Sequence, residues 1–162
     1  MVNELKAIQT WMNYEIFIIT TYEIFGDQSM NIAYVYDAIY PWIKGGAEKR
    51  IYELSKRLVQ RGHHIHIFGV KWWDGADVIN RDGVILHGVC KPMELYINGK
   101  RSIKEALVFS YKLLPHLLSM KFDIIDCNQF PYFSCFTAKI ASIKYNCPLV
   151  VGSNMRGKYP KG

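Results

Sequence analysis

No apolar stretch in the sequence approaches the roughly 18 residues that a bilayer-spanning helix needs, so any membrane contact is expected to be peripheral. Cysteine is scarce. The four residues at 90, 127, 135 and 147 form no CxxC pair, and no secretory leader precedes them, which reads as reduced thiols in a cytoplasmic protein. Two common nucleotide fingerprints are also missing. A dinucleotide loop needs GxGxxG and an acidic residue closing the second strand, whereas here the loop is long and that strand ends in Phe68-Gly69. A Walker A loop needs Ser or Thr after Gly-Lys, but Gly99-Lys100 and Gly157-Lys158 continue with Arg101 and Tyr159. NAD binding and ATP hydrolysis are disfavoured, and no internal repeat or low-complexity tract is visible.

What is present suits one folded domain: 162 residues, half of them hydrophobic and a fifth charged. The net charge of +6 is uneven. Residues 1–29 hold Lys6 against Glu4, Glu15, Glu23 and Asp27, whereas between Trp42 and Lys71 seven cations face Glu48 and Glu53. That basic stretch reads either as attraction to an anionic partner (nucleotide phosphate, lipid headgroup, nucleic acid) or as the solvated face of a helix.

The run from Met30 to Gly69 organises the chain. Asn31 to Tyr36 predicts a strand, and Asp37 to Gly46 a loop with Pro41 and Gly45-Gly46. Ala47, Ile51, Leu54 and Leu58 then mark one face of a helix that Gly62 stops, and His64 to Phe68 predicts a second strand. Beyond it, Lys71 to Asp82 reads as a loop whose Trp72 and Trp73 pack on a neighbouring helix. Val84 to Val89 reads as a strand, and Lys91 to Arg101 as a loop turning at Asn98-Gly99. Ser102 and Glu105 form a capping box for a helix that Pro115 should kink or restart. Phe122 to Cys127 reads as a strand, Asn128 to Pro131 as a loop, Pro131 to Tyr145 as a helix and Pro148 to Ser153 as the last strand. Such alternation predicts an α/β fold: a doubly wound, mainly parallel Rossmann-like sheet with helices on both faces, its ligands beyond the carboxyl ends of the strands.

Residues 1–29 fit this pattern least. A short helix from Asn3 to Met12 precedes an apolar, aromatic stretch from Tyr14 to Phe25; Met30 stands as an alternative start, and an added edge strand or oligomerisation arm is the competing reading. The expected organisation is an N-terminal extension over 1–29, a domain over 30–153 and a basic tail over 154–162, where the domain is cut short.

Gly45 and Gly46 before a helix start, with Lys44 beside them, suit a phosphate or equally a tight turn. His63, His64 and His66 lack a carboxylate or thiol at ligand spacing, so no metal site is expected and the histidines read as solvent-facing or edge residues. Cys127 and Cys135 lack a histidine nearby in sequence, and Asp123 and Asp126 read as end-of-strand residues. Asn128, in the loop beyond, is better placed to meet a ligand.

The Met30–Gly69 run with its Gly-Gly-Ala-Glu and Leu-x-x-Arg-Gly-His elements, together with FDIIDCNQFPYFSCFTAKIA and PLVVGS, resembles the N-terminal domain of GT-B fold glycosyltransferases of family 4, also called group 1. The resemblance covers about residues 30–153. It implies one half of a GT-B fold, acting on the acceptor side of a retaining transfer from a nucleotide-sugar donor to a sugar or lipid-linked acceptor, with no cofactor or metal and no nucleic-acid partner. It further implies that Gly45 and Gly46, with Lys44, approach the donor diphosphate, and that Asn128, Asp37 and Trp42 are candidates to contact sugar or acceptor. Family members usually carry a His-x-His pair where this chain has Asp126-Cys127-Asn128, and a second, catalytic domain with paired glutamates. The isolated chain is therefore expected to be inactive, awaiting a missing C-terminal domain or a second copy, and a non-catalytic Rossmann-like binding or dimerisation module is the alternative.

Overall fold

The computed structural model describes residues 28–93, 96–97, 100–101, 103–128 and 133–152. The N-terminal extension, the Asn98-Gly99 turn, the Ser102 cap, Pro131 and the basic tail lie outside the described residues. Within them the expected β-loop-α-β unit is present as β1 (Asn31–Val35), α1 (Gly46–Gln60) and β2 (His64–Val70). Gly62 ends α1, with the Gly62 and His63 amides donating to the Val59 and Leu58 carbonyls. The helix buries Ile51, Tyr52, Ser55 and Leu58 along one face.

After β2 come β3 (Val78–Arg81) and β4 (Val84–Cys90), an antiparallel hairpin turning on Asp82-Gly83. The expected Lys71 to Asp82 loop is therefore too long. Asp-Gly is a strong two-residue hairpin signal, and it pairs the short Val78–Arg81 run against β4. The Lys91 to Arg101 loop likewise holds a two-stranded ladder, β5 (Tyr96–Ile97) against β6 (Lys100–Arg101). Helix α2 (Ile103–Leu118) runs through Pro115 without a restart. Pro115 stands in its last turn, where few following residues need the lost geometry. Then follow β7 (Ile124–Cys127), α3 (Ser134–Tyr145) and β8 (Leu149–Val151).

The main sheet has the order β3-β4-β2-β1-β7-β8, parallel except for the β3 edge. Two cores flank it. One face packs Tyr34, Ile65, Ile67 and Leu86 beneath α1, and the other packs Val35, Phe68, Val70 and Ile125 beneath α2 and α3. Burial of each such side chain contributes about 1.5 to 3 kcal/mol. Phe68 and Phe122 meet edge to face with centroids 5.7 Å apart.

Because β2 is an interior strand covered on both faces, its histidines do not behave as edge residues. His64 is exposed as expected, but His63 and His66 are buried, which corrects the solvent-facing expectation for those two. His66 Nδ1 and His87 Nε2 lie 2.9 Å apart, and His87 stacks on Phe68 with centroids 4.3 Å apart. The pair is a satisfied polar element in the α2/α3 core. Among the described residues no group of three or more His, Cys, Asp or Glu is gathered to hold a metal ion.

Candidate functional site

Strand β1 is followed in space by β2 on one side and β7 on the other. Strand order reverses there, so the crevice beyond the carboxyl ends of β1 and β7 is the position at which open α/β sheets take ligands. The loops into α1 and out of β7 both start at this point. At its floor the Asn128 amide donates to the Val35 carbonyl at 3.1 Å, and the Gly152 amide donates to the Cys127 carbonyl at 3.1 Å. These bonds fix Asn128 between β1 and β8.

The side chains at the floor are buried and polar. Asn128 Nδ2 donates to Asp126 Oδ1 at 2.7 Å, and Asn128 is only 4% exposed. Asp126 lies within β7, not at its end, and wholly inside the protein, so desolvation holds its carboxyl well above the usual range and favours the protonated form. The end-of-strand reading is thus correct for Asp123, whose Oδ2 accepts the Asn31 amide at 2.8 Å, and incorrect for Asp126. Gly152 backs the pair closely: a Cβ there would come within 2.6 Å of Asn128 Oδ1, so only glycine lets β8 approach.

The wall of the crevice is the start of α1. Gly45 is its N-cap, with extended backbone and no side-chain cap, and Lys44, Gly45 and Gly46 are exposed. The first amides of α1 and the helix dipole favour an anion there by about 0.3 to 1 kcal/mol. Glu48, in the first turn, folds back toward Gly45 so closely that a Cβ on Gly45 would overlap its carboxylate, whereas a Cβ on Gly46 would meet nothing within 4 Å. Tyr36, just past β1, donates its hydroxyl to Glu48 Oε1 at 3.3 Å. The chain's own carboxylate thereby occupies the ground beside the helix start that a ligand anion would use.

Asp37 is half-buried in the same loop, its carbonyl accepting the Val70 amide at 3.0 Å and the Trp72 indole at 3.1 Å. Trp42 packs on Trp73 with centroids 5.1 Å apart, and the Arg81 guanidinium lies 5.7 Å from its ring. Trp72 and Trp73 therefore brace the β1–α1 loop, and Trp73 also joins the core that Ile51, Tyr52 and Leu58 of α1 form, in line with the expected helix packing. The loop had to be held from the β2 side because its backbone leaves the sheet after Tyr36. Sequence reading missed an open groove of about 400 Å³ past the end of β4, lined by Lys71, Gly88, Cys90, Lys91 and Lys112 among others. Its residues come from three separate segments, and only their spatial convergence marks it. Lys71 is tied there to Asp77 at 2.6 Å.

The family model Glycosyltransferase Family 4 matches residues 44–159. No curated protein matches the chain significantly in sequence. Among solved structures, sucrose-phosphate synthase from Thermosynechococcus elongatus has a similar fold, with a TM-score of 0.55 at 16% identity, over 74% of this chain and 32% of that one. The chain thus spans about a third of that enzyme's length.

Proposed function

The chain belongs to glycosyltransferase family 4, and from that premise we propose that it is the acceptor-side domain of a retaining enzyme that moves a sugar from a nucleotide-sugar donor. The observation that carries this reading is that a glycine-led helix start, tied through Glu48 to Tyr36, and a buried Asp126–Asn128 pair, tied through Asn128 to Val35, are both anchored at the carboxyl end of β1, the sheet's switch point. The α1 amides at Gly45 and Gly46, with Lys44, hold the donor diphosphate after the Glu48 carboxylate swings aside. Asn128, locked by Asp126, presents its remaining carboxamide capacity to a sugar hydroxyl. Asp37 and Trp42 border the acceptor, whose anionic part fits the lysine-lined groove past β4. A second, nucleotide-binding domain supplies the facing wall of the cleft, so this chain alone binds donor weakly and does not turn it over.

Calorimetric titration of the chain with nucleoside-diphosphate sugars tests the reading. Millimolar-range affinity that is lost when Gly45 is replaced by Val is expected. Submicromolar affinity for the chain alone would contradict the one-walled cleft, and binding unaffected at Gly45→Val would contradict the diphosphate placement.

One observation favours the dimerisation alternative: Leu107, Tyr111, Phe136, Ile140 and Ile143 are exposed on α2 and α3, Tyr111 at 81% and Phe136 at 70%. Sedimentation separates the two readings. A dimer that dissociates in Phe136→Asp supports the binding module, and a monomer at all concentrations removes it.

A further inference from the structure

The two thiols that sequence separation keeps apart meet in the fold. Cys127 closes β7, and Cys135 is the second residue of α3, whose first turn returns over the end of that strand. Their sulfurs are 3.3 Å apart, within van der Waals contact, and the Cys127 thiol also lies 3.8 Å from Ser134 Oγ. A disulfide needs about 2.0 Å between sulfurs, so bond formation asks for a side-chain shift of little more than an ångström. We propose that Cys127 and Cys135 form a thiol–disulfide exchange site that takes a low-molecular-weight disulfide and stores its oxidation as an internal bond.

The two sulfurs have different roles. Cys135 is half-buried and stands in the first turn of a helix with no side-chain cap, where the helix dipole favours a thiolate. Its hydrogen-bonding contact with Cys127 lowers its pKa. Cys127 is fully buried and serves as the resolving thiol. Cys90 and Cys147 are buried too, and burial pushes both thiols up, which makes them internal controls.

The chemistry balances without any further reactant. The Cys135 thiolate attacks one sulfur of the small disulfide, forming a mixed disulfide and expelling one thiolate. Cys127 then attacks Cys135 Sγ; its S–H bond and the mixed S–S bond break, the Cys127–Cys135 bond forms, and the second small thiol leaves with the proton. Two protein thiols are oxidised and one small disulfide is reduced to two thiols. The new bond ties the end of β7 to the start of α3, the two anchors of the segment that follows Asn128, and so restrains the chain at the floor of the crevice.

The experiment exposes the full chain, freed of reductant, to oxidised glutathione near neutral pH, quenches with an alkylating agent and maps peptides by mass spectrometry. A transient glutathione adduct on Cys135 is expected, about tenfold or more faster than on Cys90 or Cys147, followed by a linked Cys127–Cys135 peptide. Cys127→Ser should stop at a stable adduct on Cys135. Cys135→Ser, at a half-buried position, should leave Cys127 unmodified. Adducts forming equally on all four cysteines, or an adduct on Cys135 in the unsubstituted chain that never passes to Cys127, would overturn the proposal. Both readouts are independent of sugar transfer.

Discussion

Two buried polar pairs sit in one sheet and respond to protons in opposite senses. His66 and His87 lie on the α2/α3 face, on the adjacent strands β2 and β4 and two residues apart in register, packed among Phe68 and Phe122. Asp126 lies within β7 and Asn128 just past its end, at the switch point. The histidines satisfy each other within a packed core and have no access to a ligand. The carboxyl and amide are held at a crevice floor, and the sugar contact proposed above would give that burial a use. Under that proposal, position in the topology separates the two pairs, since burial alone would class them together.

The largest expected effect comes from acid. Burial, with the adjacent charges of His66 and His116, lowers the His87 pKa to about 4, and burial with His64 lowers that of His66. The folded state thus prefers both rings neutral, while the unfolded chain takes up protons below about pH 6.5. Stability is fully present above that value and falls as pH drops toward 4, by on the order of 3 kcal/mol. Denaturant melts at pH 7 and 4.5 read this directly, and His87→Gln should flatten the slope. Unchanged stability over that range would show that the pair is open to water.

Asp126 runs the other way. Its folded pKa is raised, so its contribution is most favourable below the unfolded carboxyl value and is lost as pH rises. Asp126→Asn should therefore stabilise the chain at pH 7, by about 1 to 2 kcal/mol, with Asn128 still locked because the carboxamide oxygen accepts the same Nδ2–H, whereas Asp126→Ala removes the acceptor and should weaken sugar binding. Unaltered ligand affinity in Asp126→Ala would make the pair structural and remove the contrast. Similar in size is Gly152→Ala, which brings a methyl group against Asn128 Oδ1. A destabilisation of about 1 to 3 kcal/mol is expected in thermal melts, with the Asn128 amide resonance displaced. The smallest effect is Glu48→Gln. Removing the charge beside Gly45 should tighten anion binding by roughly 0.3 to 1 kcal/mol, a few-fold in titrations with inorganic pyrophosphate.

The sequence made the β1–α1–β2 unit legible because its signals are local: the 3.6-residue spacing through Ile51 and Leu58, the glycines ahead of Glu48, the stop at Gly62. The Asp82-Gly83 hairpin is also written locally, but Val78–Arg81 is short and mostly exposed and so carries little strand signal of its own. The remaining features depend on register. His66 meets His87 only through the β2–β4 pairing, and Cys127 meets Cys135 only because α3 folds back over β7. Asn128 is legible from its place after a strand, whereas the desolvation of its partner Asp126 is not, because it depends on β7 lying between β1 and β8.

The central claim is that the crevice at the switch point receives a nucleotide sugar's diphosphate at the α1 start. Amide-resolved NMR of the chain during titration with a nucleoside-diphosphate sugar tests it most directly. The account predicts saturable shifts centred on Gly45, Gly46, Ala47 and Asn128, with the His66–His87 region undisturbed. Shifts centred elsewhere on the sheet, or none at ligand concentrations of about 10 mM, would contradict it.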